Sequence, residues 1–298
     1  MNPVVEVTGL TKRYGSFTAV DNISFKIEAD KIYGLLGRNG AGKTTIMHMI
    51  TAQLFATDGG VKLFGEAPYE NERVLSQVCF IKESQKYPDS YRIVDMLEVS
   101  ASLFPHWDRE FANLLIKDFQ LPPKRRIKKL SRGMLSAVGI VIGLASRAPL
   151  TIFDEPYLGL DAVARGLFYD HLLKDYGLHP RTIVLSTHLI DEVNRMLEHV
   201  IVIDGGKKLI DEDTDSLRGK AFTVVGPASK VEVFSAGKQA IERETFGGLS
   251  SVTLLGHLGA GERKHAEELG LELAPVSLQQ LIVHLTNGKT DRKAADAI

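Results

Sequence analysis

Cysteine is almost missing from this chain of 298 residues: Cys79 stands alone. An internal disulfide is therefore excluded, and nothing in the composition points to an oxidising compartment. An excess of charge is missing too. Lysine and arginine number 36 against 37 aspartates and glutamates, a net charge of −1, so the chain as a whole exerts no pull toward nucleic acid or an anionic membrane. Long apolar runs are also absent. The most apolar stretch, AVGIVIGLA at 137–145, falls far short of the roughly 20 residues a spanning helix needs. The N-terminal MNPVVEVTGLTKRYG has no apolar run of the signal-peptide type. What is present, a hydrophobic fraction of 44%, suffices to bury a core, and the length is compatible with one to three domains.

The strongest local signal is GRNGAGKT at 37–44, a G-x-x-x-x-G-K-[ST] run whose glycines let backbone N–H groups face phosphate oxygens ahead of a helix N-terminus. Before it, KIYGLLG reads as a buried strand; after it, TTIMHMITAQL has apolar residues at helical spacing. The strand, loop and helix that the motif requires are thus predicted in order. Gly37, Arg38, Asn39, Gly40, Ala41, Gly42, Lys43, Thr44 and Thr45 form the expected phosphate site. Lys43 is expected to neutralise the β- and γ-phosphates and Thr44 to ligate Mg²⁺.

Two further runs end in chemistry. LTIFDE at 150–155 reads as a buried strand delivering two acids to the rim of a parallel sheet. Asp154 is expected to hold Mg²⁺ and Glu155 to act as base toward the attacking water. A helix-capping pair is the plainer explanation, and Pro156 argues against a helix starting there. TIVLST at 182–187 is an extended run leading to His188, whose imidazole could contact a γ-phosphate.

With LSRGM at 130–134, LGLD at 158–161, Tyr14 in KRYG and His188, the chain resembles the ATP-binding cassette (ABC) ATPases over about residues 4–215. That resemblance implies a P-loop NTPase (RecA-like) α/β core with an antiparallel β subdomain and a helical subdomain, ATP and Mg²⁺ as cofactors, and two cassettes paired head to tail. It implies adenine stacking on Tyr14, signature contacts from Ser131 and Gly133 to the partner's ATP, and a dimer-spanning role for Asp161. Ser131 is in any case a good N-cap, and Gly133 permits close backbone approach.

The chain departs from the family pattern where Arg132 replaces a glycine, where Met134 replaces a glutamine, and where Glu83, with Gln85 two residues on, replaces the usual metal-ligating glutamine. Glu83 is retained as an expected metal ligand, because an acid can ligate Mg²⁺. LSRGM and the LFPHWD opening at 103–108 both resemble ABC-2-type exporters.

The expected organisation is a nucleotide-binding domain at 1–218 and a small α+β accessory domain at 219–298. Within the first, residues 4–36 and 59–65 are expected as an antiparallel layer and about 90–147 as the helical subdomain. Phe104, Trp107, Phe111, Leu114, Leu115 and Phe119 are expected to form that subdomain's core. In the second, strands are expected at AFTVVG, 239–245 and 249–255, with helices at 228–236, 261–269 and 277–286. In the last helix Leu278, Leu281, Ile282 and Leu285 share a face, and the tail GKTDRKAADAI reads as polar and frayed.

The basic run Lys124, Arg125, Arg126, Lys128, Lys129 has no interleaved aromatics, so no nucleic acid is expected. The resemblance implies the ATPase subunit of a transporter, a homodimer or paired cassette on the cytoplasmic face of the membrane, with a separate permease. A soluble ABC ATPase acting on ribosomes or nucleic acid is the alternative, and a non-hydrolysing regulatory module a third reading.

Overall fold

The computed structural model describes residues 3–83 and 85–283. In chain order they form β1 (Val5–Tyr14), β2 (Phe17–Ile27), β3 (Ile32–Leu36), α1 (Lys43–Ile50), β4 (Asp58–Leu63), α2 (Glu72–Leu75), β5 (Val78–Ile81), α3 (Ile93–Leu103), α4 (Arg109–Asp118), α5 (Arg132–Ala145), β6 (Leu150–Asp154) and α6 (Ala162–Leu178). The chain continues through β7 (Thr182–Thr187), α7 (Ile190–Val193), β8 (His199–Asp204), β9 (Lys207–Asp213), α8 (Thr214–Leu217), β10 (Ala221–Pro227), α9 (Ala228–Ser235), β11 (Gln239–Phe246), β12 (Leu249–Leu255), α10 (Ala260–Leu269) and β13 (Glu272–Pro275).

Contacts divide the chain into two compact units, one comprising Met1–His188 and Met196–Asp211, the other Leu189–Arg195 with the described residues from Glu212 on. The sequence places a single boundary between 218 and 219; these units divide slightly earlier and add Leu189–Arg195 to the second.

The main sheet has the order β5-β6-β7-β3-β8-β9. Its inner strands β3, β6 and β7 are buried at every residue, which is why they read as continuous apolar runs and not as alternating ones. A second sheet, β2-β1-β4, is antiparallel. Residues 32–36 correct the expectation of an antiparallel layer over 4–36: β3 pairs in parallel with β7 and β8. A central strand with both faces covered has no outward-facing polar positions, and IYGLL supplies none.

In the helical segment, α4 opens at Arg109 with the Asp108 side chain accepting from the Phe111 N–H at 2.7 Å. Phe104 and Trp107 lie before that cap, and the buried stripe is Ala112, Leu115 and Ile116. Leu114 is 47% exposed. Of the six residues expected as that core, Leu115 alone is fully buried.

Behind the sheet, Asp175 of α6 accepts from Arg181 at 2.7 Å and Arg147 at 2.9 Å. Asp175 and Arg181 are both almost fully buried.

The second unit has the antiparallel order β11-β12-β10-β13, with Phe222, Val224, Val231, Phe234, Val252, Leu254, Ala266 and Leu271 as its core. β13 carries too short an apolar signal to be expected from sequence. Residues 278–283 are helical, and Leu278, Leu281 and Ile282 are buried; Leu285 and the tail lie outside the described residues.

Removing one partner of a buried ion pair strands the other charge, at a cost of about 3–5 kcal/mol. Asp175→Ala is therefore expected to lower unfolding stability by about that amount, read from the urea midpoint at pH 7. A midpoint equal to wild type would show that the cluster contributes nothing.

Candidate functional site

Parallel pairing aligns three strand ends. Asp154 of β6 lies opposite Ser186 of β7, and Thr187 of β7 lies opposite Leu36 of β3. The chain leaves these strands as the glycine loop after Leu36, as Glu155 after Asp154 and as His188 after Thr187. The C-terminal rim of an open parallel sheet is where such folds bind ligands.

A cleft of about 640 Å³ opens on this rim, bordered by residues that include Tyr14, Phe17, the 39–45 loop, Glu83, Asp154, Glu155 and His188. The structure thus brings together most of the nucleotide residues expected from sequence. Gly37 and Arg38 sit just behind, their carbonyls accepting from Lys43 Nζ at 2.7 and 3.1 Å.

The loop enters α1 through Gly42, whose φ of 107° is strained for any other residue. A Cβ there would sit 2.7 Å from the Ala19 carbonyl oxygen. No side chain caps α1, which leaves its first N–H groups to a ligand and directs the positive end of the helix dipole at it. Burial holds the Lys43 ammonium below its ordinary pKa, against the opposing pull of Glu155 and Asp154. Burial also pushes the Asp154 carboxyl up. Both charges are costly in the free protein, and an anion with a cation would offset both.

Asp154 Oδ2 accepts from Thr44 Oγ1 at 2.8 Å, while Asp154 Oδ1 is buried without a partner among the described residues. Mg²⁺ characteristically takes one or two carboxylates and completes its shell with phosphate and water, so a threonine hydroxyl beside an under-satisfied carboxylate fits it. Glu83, expected as a ligand, borders the same cleft, but its carboxylate accepts from Arg132 Nη2 at 2.9 Å. Two of the three departures from the family pattern thus face each other.

Glu155 has φ 48°, a left-handed conformation that costs a non-glycine residue on the order of 1–3 kcal/mol and concentrates at functional sites. Its Oε2 lies 2.7 Å from His188 Nδ1.

Away from the rim, Ser131 caps α5, accepting from the Met134 N–H at 3.2 Å. The helix begins at Arg132, three residues before the apolar run that marks it in sequence. Gly133 has a reason within the chain: a Cβ there would meet the Gly159 carbonyl oxygen at 2.4 Å. Asp161 caps α6, accepting from the Ala164 N–H at 2.8 Å. Tyr14 is half exposed at the cleft, with Lys12 Nζ 5.2 Å from its ring centroid. Cys79 is buried, which pushes its thiol up to about 12 and makes it unreactive.

Sequence reasoning passed over Phe17, an exposed aromatic on the cleft border, and Tyr157, whose buried hydroxyl touches Glu155. The alternation of β2 puts Phe17 in phase with the buried Ile23, Phe25 and Ile27, and register shifts in the β1–β2 pairing break that phase before the strand's start; nothing local marks Tyr157.

A glycine loop on a helix N-terminus, a buried lysine, a threonine–aspartate pair and an adjacent glutamate–histidine pair define a P-loop nucleoside-triphosphatase. Comparison with known proteins narrows this. Residues 20–158 match the family described as ABC transporter. The bacitracin transport ATP-binding protein BcrA of Bacillus licheniformis is 32% identical over 73% of this chain and 72% of its own length. The Nod factor export ATP-binding protein I of Ralstonia nicotianae is 30% identical over 70% and 66%. A solved ATP-binding subunit of an ABC transporter superposes with a TM-score of 0.66 over 72% of this chain and 91% of its own, at 23% identity, a likeness of fold. The chain belongs to the ATP-binding proteins of ABC transporters and is an ATPase of that family.

A ligand that binds only the folded state at a hundred times its Kd stabilises by about 2.7 kcal/mol. Mg-ATP at that excess is expected to raise the melting temperature of wild type, whereas Lys43→Ala should melt at the same temperature with and without nucleotide. A full ATP-induced shift in Lys43→Ala would remove Lys43 from the phosphate site.

Proposed function

We propose that this protein is the ATP-hydrolysing subunit of an exporter, working as a head-to-tail dimer on the cytoplasmic face of a membrane and driving a separate permease. The observation that carries the chemistry is the Thr44, Asp154, Glu155 and His188 cluster on one rim. Mg²⁺, held by Thr44 and Asp154, would supply charge neutralisation to the β- and γ-phosphates. Glu83, with Oε1 held by Arg132, would have Oε2 to offer the same ion.

Glu155 takes a proton from water as the water oxygen bonds to the γ-phosphorus. The bond from that phosphorus to the bridging oxygen breaks, and ADP leaves with its electron pair. Lys43 and His188 stabilise the phosphoryl oxygens, and Tyr14 offers its face to the adenine.

Head-to-tail pairing is supported by the position of the α5 N-terminus. Its cap, Ser131, and its glycine, Gly133, are fully explained within the chain as local structure, and the dipole of that helix end still suits an anion brought by a second chain. Asp161 opens α6 beside it and would report between the two sites. The second copy is this chain itself or a related cassette. In this proposal nucleotide binding belongs to 1–218 and an accessory role to 219–298.

Among the described residues no helix is long and apolar enough to cross a membrane, which fits a path supplied by a partner. The relative named for Nod factor export supports the export direction.

Glu155→Gln keeps the side chain's shape and loses its basicity. It is expected to bind ATP normally, to lose turnover by about 10²–10⁴-fold and to sediment as an ATP-bound dimer. Turnover like that of wild type would remove Glu155 from its role. Mixing Lys43→Ala with Ser131→Ala chains should restore part of the hydrolysis, since some mixed dimers carry one intact composite site; mixed dimers with no activity would argue against the sandwich.

A further inference from the structure

Tyr157 lies two residues beyond Glu155 in the turn that closes β6, with the Leu158 N–H donating to the Glu155 carbonyl at 3.2 Å and the Leu160 N–H to the Tyr157 carbonyl at 2.9 Å. Its side chain is almost wholly buried and does not border the nucleotide cleft. The ring meets the His188 imidazole edge-on, with centroids 6.0 Å apart.

The phenol oxygen contacts three residues. It donates to Glu155 Oε2 at 2.6 Å, lies 2.7 Å from Thr187 Oγ1 and accepts from the His188 N–H at 3.3 Å. A phenol has one proton and two lone pairs. An ionised carboxylate can only accept, so the proton is committed to Glu155 and the Thr187 hydroxyl donates to the phenol. Burial, followed by the neighbouring Glu155, pushes the Tyr157 pKa far up, which leaves the hydroxyl a permanent donor at working pH.

Glu155 Oε2 therefore faces two groups, the Tyr157 hydroxyl and His188 Nδ1, while Oε1 is buried without a partner among the described residues. One oxygen is anchored twice, which holds the whole carboxylate in a single orientation. The anchoring also bears on the backbone, because a left-handed glutamate persists only where its surroundings over-determine it.

We infer that Tyr157 is a positioning residue for hydrolysis: its hydroxyl ties Glu155 to the end of β7, fixing in one orientation the carboxylate of a residue that borders the cleft. This rests on the reading of Glu155 as base. Tyr157 does not border the nucleotide cleft, so its effect falls on turnover and not on affinity.

Tyr157→Phe keeps the ring and removes only the hydroxyl. Expected is a kcat about tenfold or more below wild type, with the KM for Mg-ATP and the melting temperature nearly unchanged. In a Glu155→Gln background the same change should produce no further loss of single-turnover rate, because the group being positioned is gone. Thr187→Val, which removes the other side-chain hydroxyl on the phenol and leaves the tyrosine in place, should also lower kcat alone, and it serves if Tyr157→Phe folds poorly. Wild-type kcat in both Tyr157→Phe and Thr187→Val, or an equal fractional loss with and without Glu155, would overturn the inference. If Glu155→Gln itself turned over like wild type, the failure would lie in the proposed base instead.

Discussion

The site depends on the parallel register of β6, β7 and β3. Because Asp154 faces Ser186 and Thr187 faces Leu36, three stretches of chain that are far apart in sequence emerge side by side. A slip of one residue in any of these pairings would turn every side chain to the opposite face. The carboxylate of Asp154 would then no longer meet the Thr44 hydroxyl. All three strands are buried at every residue, which places the energetic support for catalysis in the core and not on the rim.

Electrostatics at the rim run against stability. A buried lysine, a buried aspartate with an unpartnered oxygen and a glutamate with a left-handed backbone would each be poor choices in a protein selected for stability alone. Together they describe a site held ready for charges it does not itself contain. Around Glu155 the supporting interactions are local and short. In contrast, the exposed Glu83–Arg132 pair is of the kind that contributes little, about 0–1 kcal/mol, and so is cheaply broken.

Much of this was legible in sequence where the information is local. The phosphate loop, the two acids after an apolar run and the histidine after another are each announced by residues within a few positions of one another. The caps Ser131 and Asp161 are likewise short-range effects. What could not be read depends on adjacency across strands or on helix phase. Tyr157 matters because β6 and β7 are neighbours, and a tyrosine after Pro156 carries no mark of that. Residues 32–36 belong to the parallel sheet because of their partners, and Leu114 gives way to Ile116 because packing decides which face of α4 is buried. Arg132 and Glu83 each read as an isolated departure until the fold set them 2.9 Å apart.

Gly133 lies so close to Gly159 that a Cβ would collide with the latter's carbonyl oxygen, and this bears on how genetic variation at position 133 is interpreted. An inactive allele there does not by itself report on nucleotide contact, since every replacement also forces apart the start of α5 and the loop leading into α6. Suppressors of such alleles would be expected to map to residues 157–161, where a small backbone shift restores the space, and not to the phosphate loop. A mutational survey of this family member would therefore score position 133 as intolerant even in a background where ATP is never hydrolysed.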